Sequence, residues 1–356
     1  MQNPENILVL RLSSLGDIIM TLPAVYSLKN YFPSSKIAWV CEGSACELLS
    51  CMRFVDEVIK FPRDKIREAL NNGSPMEAWV TFLNFIRDLR RTEFDLVFDF
   101  HGILKSAVIS CLTRKKRMVG LGKPYAKEFS HLFYRERING SDQHIHKVQR
   151  NMMLVKYIGV KGFSENIPFM VPKTDEEYVE QFFRKEGLSG RVFVVNPFSS
   201  IRGRYKRWPL EYYRELIKMI KKEMDPRVII LWGTNEEKIE AEKLKESLNG
   251  DVILSWSMNV PKLLAFLSKV DLYIGGDSGI THLASLVKTP VVAIFGPSDH
   301  KVNSPWGTTK KIVRRDIECS PCKKRDCKER RCLTEIYPEQ VFEAIKELYN
   351  QRSLEK

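Results

Sequence analysis

No stretch of the chain reaches the ~20 consecutive apolar residues needed to cross a bilayer. The first apolar run is broken by Arg11 and Asp17, and no later one approaches that length. The sequence therefore reads as that of a cytoplasmic protein without a spanning segment. Low-complexity tracts and internal repeats are lacking too, which sets aside fibrous and disordered classes. The aromatic-interleaved basic signatures of common RNA and DNA readers are missing, so nucleic acid is not an expected partner. Cysteine is scarce outside one C-terminal group: Cys41, Cys46, Cys51 and Cys111 are scattered among apolar residues and read as reduced, partly buried thiols without chemistry.

What the chain has is an ordinary globular composition, 44% hydrophobic and 28% charged over 356 residues, with a net charge of +13. Such a length predicts two domains of roughly 150 to 200 residues, each able to bury a core. The positive excess gathers in Arg114-Lys115-Lys116-Arg117, Arg202 to Arg207, Lys310 to Arg315 and Lys323 to Arg331. Clusters of this kind favour anionic partners, whether nucleic acid, an anionic membrane surface, or phosphorylated and carboxylated small molecules. They equally describe the solvated faces of a basic protein, and charge alone does not choose. The remaining cysteines form Cys319-x2-Cys322-x4-Cys327-x4-Cys332, tight enough to clip a loop through a structural zinc or through disulfides.

Ile7 to Leu12 is a short apolar run, followed by Ser13-Ser14-Leu15-Gly16-Asp17 and a helical pattern from Ile18 to Tyr31. Lys36 to Cys41 and Asp95 to Phe100 read as further strands, and strands alternating with helices predict a parallel, doubly wound sheet. Between them Phe82, Leu83, Phe85, Ile86 and Leu89 recur at helical spacing beside Arg87, Arg90 and Arg91, which fits a core-facing helix better than a membrane-facing one. Pro168 and Pro172 bracket an extended segment, and Thr174-x-x-Glu177 offers a capping box, so a domain boundary is expected between residues 172 and 173. Strand signals at Val192 to Asn196, Val228 to Trp232, Val252 to Leu254, Leu272 to Gly275 and Val291 to Phe295, with helices between, predict a second doubly wound unit.

Ligands of open α/β sheets sit beyond the carboxyl ends of the strands. Three loops qualify: Ser13 to Asp17, Pro197 to Lys206, and Gly275 to Ser278. In Tyr273-Ile-Gly-Gly-Asp-Ser-Gly-Ile-Thr-His282, paired glycines precede hydroxyl and acidic groups at a helix start, where free N–H groups and the helix dipole suit a diphosphate. A purely structural Gly-Gly turn with an acidic cap gives the same pattern. Ser199-Ser200-Ile-Arg-Gly-Arg-Tyr-Lys206-Arg-Trp-Pro209 concentrates cations and hydroxyls before another helix, as a phosphate loop or a basic surface loop would.

Taken together, Ser13-Ser14-Leu15-Gly16-Asp17-Ile18, Asp99-Phe-His-Gly-Ile-Leu-Lys-Ser106, His146-x-Val-x-Arg150-Asn151, Lys206-Arg-Trp-Pro209, Gly276-Asp-Ser-Gly-Ile-Thr-His282 and Phe295-Gly-Pro297 resemble the ADP-heptose:lipopolysaccharide heptosyltransferases, in order, from about Ile7 to Pro338. The opening loop looks more like heptosyltransferase I than heptosyltransferase II. The resemblance implies an α/β fold of GT-B type, two Rossmann-like domains facing a central cleft. It implies an acceptor-binding domain at 1–172, a nucleotide-sugar-binding domain at 173–337, and a last helix, 338–356, packing back on the N-terminal domain. The implied reaction is inverting, metal-independent transfer of heptose from ADP-L-glycero-D-manno-heptose to a Kdo residue of lipid A at the inner membrane, with no cofactor.

Residue by residue, the resemblance makes Asp17 the general base. Ser199, Ser200, Lys206, Asp277, Ser278, Gly279 and His282 would hold the donor phosphates, Met258 the adenine, and Glu236 or Glu237 the ribose. Ser14, Gly16, Arg63, Lys65, Arg67, His101 and Lys127 would serve the acceptor. The loop before Lys206 is longer than in close relatives, and His101 stands where glutamine is common. No Asp-x-Asp pair follows a strand, as a metal-using transferase often requires. A second-heptose or other ADP-sugar transferase and a nucleotide-sugar epimerase or hydrolase are the competing readings.

Overall fold

The structure, a computed structural model, describes residues 3–322 and 324–354; Met1, Gln2, Lys323, Glu355 and Lys356 lie outside the described residues, so Lys323 of the fourth basic cluster is not considered further. The chain divides into two compact units, Met1–Met170 and Val171–Lys356, where the sequence placed its boundary after residue 172.

In the first unit the order is β1 (Asn6–Leu10), α1 (Leu15–Ile19), α2 (Leu22–Tyr31), β2 (Lys36–Cys41), α3 (Ser44–Ser50), β3 (Glu57–Lys60), α4 (Arg63–Asn71), α5 (Pro75–Leu89), β4 (Glu93–Asp99), α6 (Leu104–Leu112), β5 (Arg114–Leu121), β6 (Glu136–Ile138) and α7 (Lys147–Tyr157). Its strands pair in parallel in the order β3-β2-β1-β4-β5-β6, with Leu8 opposite Ala38 and Val97. The near-continuous apolar strands β1 and β2 are buried on both faces, as a parallel sheet requires. The single helix read from Ile18 to Tyr31 is two, α1 and α2, divided at Met20 and Thr21.

The second unit repeats the plan: α8 (Lys173–Lys185), β7 (Val192–Asn196), a 3₁₀ turn (Ile201–Lys206), α9 (Leu210–Glu223), β8 (Arg227–Ile230), α10 (Asn235–Glu246), β9 (Ile253–Leu254), α11 (Val260–Ser268), β10 (Leu272–Gly276), α12 (Gly279–Leu286), β11 (Val291–Phe295), α13 (His300–Asn303), β12 (Lys310–Arg314), α14 (Arg331–Thr334) and α15 (Pro338–Leu354). Its sheet order is β12-β11-β10-β7-β8-β9. Read from the other edge this is the same 3-2-1-4-5-6 winding as in the first unit. Each sheet therefore has one switch point, between β1 and β4 and between β7 and β10, where a crevice opens outside the strand ends.

In helix α15, Val341, Phe342, Ile345 and Leu348, at one-turn spacing, are buried in the core of the second unit, and the helix packs on α9, β11 and β12. Two of the basic clusters form strands whose charges are paired. In β5, Lys116 pairs with Asp95 at 2.7 Å and Arg117 with Glu136 at 2.6 Å, while Lys311 of β12 pairs with Glu347 at 2.8 Å.

Candidate active site

At the first switch point, Arg11 follows the last residue of β1. Its guanidinium donates to the Phe100 carbonyl just past β4 at 2.6 Å and to Asp17 Oδ2 at 2.8 Å, bridging the two strand ends. Asp17 Oδ1 accepts from Lys147 Nζ at 2.6 Å, and Oδ2 also accepts from Ser14 Oγ at 3.0 Å. Burial alone pushes a carboxyl pKa up, yet the charges of Arg11 and then Lys147 outweigh it and hold Asp17 well below the usual carboxylate range. Asp17 is thus ionised at any physiological pH, and its side chain keeps 18% of its surface accessible.

The motif around Arg150 accounts for the position of Lys147. His146 caps α7, its ring accepting from Val148 N at 3.2 Å, and Asn151 donates to Met20 O and Thr21 Oγ1, both at 3.0 Å. These bonds pin α7 to the joint between α1 and α2, and Thr21 in turn donates to the Asp17 carbonyl at 2.8 Å. Lys127 and Arg150 lie close enough to Asp17 to feel its charge; burial nonetheless lowers both pKa values, that of Arg150 to about 10. The Nε atoms of Arg11 and Arg150 are buried without a hydrogen-bond partner.

Asp99 explains its own motif. Fully buried at the end of β4, it accepts from His101 N at 2.8 Å, Gly102 N at 3.0 Å and Tyr134 Oη at 2.7 Å, which fixes the turn that carries His101. His101 Nδ1 accepts from Leu12 N at 3.3 Å, so its proton sits on Nε2. Burial, and next the Arg11 charge, push its pKa down to about 3; the ring is a neutral donor.

The structure thus brings Asp17, Ser14, Gly16, His101 and Lys127 to one strand edge and adds Arg11, Lys147 and Arg150, which sequence spacing did not single out for roles. An arginine ending an otherwise apolar strand was the available signal for Arg11. Arg63 is paired at 3.3 Å with the buried Glu42, which also pairs with Lys105 and whose backbone N donates to Leu12 O at 2.9 Å. Lys65 and Arg67 are exposed on α4 and reach none of these partners among the described contacts.

At the second switch point, Lys206 Nζ pairs with Asp277 Oδ2 at 2.7 Å. Burial raises the Asp277 pKa, but Lys206 and then His282 prevail and lower it. The two loops abut: a Cβ on Gly276 would lie 3.6 Å from the Lys206 carbonyl, and one on Gly275 would meet Tyr273 Oη at 2.8 Å and Asn196 O at 3.0 Å. Gly275 thus permits a close approach that a side chain would block, for internal packing, whereas a Cβ on Gly276 would make only ordinary contacts. Ser278 caps α12, its Oγ accepting from Thr281 N at 3.4 Å, and leaves the first-turn N–H groups from Gly279 onward without intrahelical acceptors. His282 is buried in that helix.

Ser199 and Ser200 face Gly203 of the 3₁₀ turn, their hydroxyls 3.1 and 3.4 Å from where its Cβ would be. The basic loop is therefore an ordered turn. The acidic pair after β8 divides by environment. Glu237 is buried, bound to Arg207 at 2.5 Å and accepting from Gly233 N at 2.9 Å, whereas Glu236 is exposed at the start of α10. Met258 is half-buried just before Asn259, the cap of α11.

Cys319, Cys322, Cys327 and Cys332 line one small cavity with Tyr205 and Pro297. No disulfide joins them, and among the described residues no three His, Cys, Asp or Glu side chains are arranged to hold a metal ion. The loop is held instead by Ser320 Oγ donating to Gly296 O at 2.9 Å and Cys322 N donating to Pro297 O at 2.8 Å.

Two sheets of identical winding, one presenting an ionised carboxylate and the other a lysine beside a helix start, each at its switch point, are what a glycosyltransferase of the GT-B class presents. The chain belongs to glycosyltransferase family 9 (heptosyltransferase), whose model matches residues 82–333. It is 26% identical over 327 residues to lipopolysaccharide heptosyltransferase 1 of Pseudomonas aeruginosa, covering 90% of this chain and 87% of the relative. It is 25% identical over 345 residues to lipooligosaccharide heptosyltransferase 2 of Campylobacter jejuni, covering 94% and 96%. The solved E. coli heptosyltransferase WaaC with ADP shares the fold at a TM-score of 0.74 and 22% identity, over 96% of this chain and 99% of that one.

Proposed function

We propose that the protein transfers heptose from ADP-L-glycero-D-manno-heptose to a Kdo residue of the lipopolysaccharide inner core, as heptosyltransferase I does. The reaction is a single inverting displacement without a metal, on an acceptor presented at the cytoplasmic face of the inner membrane. The acceptor hydroxyl oxygen bonds to the anomeric carbon as the bond from that carbon to the ADP oxygen breaks. Asp17 takes the hydroxyl proton, which a carboxylate within hydrogen-bond reach does for about 10²–10⁴-fold in rate. Negative charge growing on ADP is met by Lys206 and the first N–H groups of α12. Asp277 holds Lys206 until the diphosphate takes its place, Glu236 is the ribose partner, and Met258 packs on adenine.

The observation that carries this reading is the charge around Asp17. One carboxylate is set against Arg11 and Lys147, with Lys127 and Arg150 nearby, which suits a base that must also attract a carboxylated acceptor. Incubating purified protein with ADP-heptose and Kdo-lipid A, then determining product mass and linkage, tests it. Turnover of the donor without acceptor, to free sugar or a new sugar nucleotide, would favour an epimerase or hydrolase. The similarity to a heptosyltransferase 2 supports a second reading, and an acceptor already bearing one heptose reads that activity.

A further inference from the structure

Helix α5 has two apolar faces. Ala78, Phe85, Ile86 and Leu89 are buried. On the other side Met76, Trp79, Val80 and Leu83, at i, i+3, i+4 and i+7, are 72%, 56%, 46% and 45% exposed. They form one stripe, which exposed Arg87 and Arg90 continue toward the C-terminus, although Arg90 also donates to Leu112 O at 2.9 Å. The acids Glu77 and Asp88 fall about 100–120° round the helix from Met76. Leu70 of α4, 55% exposed, and Arg67 lie on the neighbouring helix. Soluble monomers rarely leave so many large apolar side chains together in water.

The stripe also has a defined place. Phe61 directly follows β3, past its carboxyl end, and its ring meets Phe85 edge-on at 5.1 Å. Since α5 runs back to feed β4, its residues before Phe85 stand beyond that edge, Met76 by about 13 Å at 1.5 Å per residue. The Asp17 loop lies at the same edge of this sheet.

We propose that the exposed face of α4 and α5 seats in the headgroup region of an anionic bilayer, so that the edge bearing Asp17 faces an acceptor carried in that membrane. This rests on the reading of the acceptor as lipid-linked. Charge complementarity selects the occupant: residues 63–91 carry six cations against four acids, with Arg63 paired to Glu42 and Arg91 to Asp88, and the apolar stripe is flanked by arginine, as in helices that lie in a membrane interface. A second copy on the same face would set Arg87 and Arg90 against their own equivalents across a two-fold axis.

Flotation of the full chain with phosphatidylcholine vesicles, with and without phosphatidylglycerol, tests the proposal. The parent should float with the anionic vesicles, less so at high salt. The double substitution Trp79→Glu, Leu83→Glu should reduce that partitioning about tenfold or more, because it sets two carboxylates on the inserted face. Its transfer to a deacylated, water-soluble acceptor should match the parent. Equal flotation of parent and variant would overturn the proposal, as would a parent that never floats or a parent dimer that the variant dissociates. A parent that floats but transfers no sugar to either acceptor would sink the functional reading instead and leave the membrane face standing.

Discussion

At the end of β1 the Asp17 carboxylate faces an excess of cations, whereas at the ends of β7 and β10 the Lys206 ammonium is paired with Asp277, on which His282 also acts. Asp17 has Arg11 at 2.8 Å and Lys147 at 2.6 Å; Lys206 has Asp277 at 2.7 Å. The two sheets have the same winding, so the fold does not cause the difference; the side chains at the switch points do. A base must remain deprotonated, and surplus cations achieve that, at the cost of lower basicity, while drawing in an anionic acceptor. A diphosphate site needs only a partner it can displace. On this comparison, substitutions at the first point should affect chemistry, and those at the second should affect binding.

The largest expected effect is that of Asp17→Asn. Turnover should fall by about 10²–10⁴-fold, while ADP affinity, measured by calorimetry, stays at the parent value because the change lies in the other unit. Parent-like turnover when chemistry is rate-limiting would remove Asp17 from the role of base. Lys206→Ala should behave oppositely and weaken ADP binding by roughly 10- to 100-fold, the loss of a charge-assisted contact. Turnover at low donor concentration should fall with it. An unchanged ADP affinity would mean that Lys206 serves only Asp277.

How much of this was legible beforehand depends on which physics each residue obeys. The strands β1, β2, β4 and β7 to β11 announced themselves because a buried parallel strand is a short apolar run, and the loops after them followed. Strands β5 and β12 did not, since Arg114 to Arg117 and Lys310 to Arg314 hide their alternation beneath charge that is paired in large part with partners distant in sequence, such as Asp95, Glu136 and Glu347. Asp17 was legible as a loop carboxylate, but Lys147, one of the two cations that hold it ionised, is 130 positions away. Spacing cannot report such a pairing.

Lys147→Met separates the two cations that hold Asp17, with a smaller effect than loss of the base. The folded-state pKa of Asp17 lies below its ordinary value of 3.8. The stability this provides is fully present above the unfolded value and is lost as pH falls through the folded one. In the parent, therefore, the pH–rate profile should show no acid limb from Asp17 above about pH 4. With Lys147 removed, burial is opposed by Arg11 and the Ser14 hydrogen bond, the pKa rises, and an acid limb should move upward into the accessible range. Identical profiles for the two proteins would show that Arg11 and Ser14 suffice.

The smallest expected effect on activity separates two adjacent acids on α10. Glu237 is buried and bound to Arg207, whose guanidinium also donates to the Ser199 carbonyl, so this carboxylate braces the loop leading to Lys206. Glu237→Gln leaves Arg207 without its charge partner and should cost about 2–4 kcal/mol of stability, read as a lower denaturation midpoint, with ADP affinity reduced through the loosened loop. Glu236 is exposed and hydrogen-bonded to Thr234. Glu236→Ala should leave the midpoint unchanged and weaken ADP by only a few fold, since a single exposed hydrogen bond to ribose is worth roughly 1 kcal/mol. AMP and ADP should lose equally, because both carry the ribose, whereas Lys206→Ala should penalise ADP more than AMP. A loss for Glu236→Ala that appeared with ADP and vanished with AMP would place this acid at the diphosphate and not at the sugar.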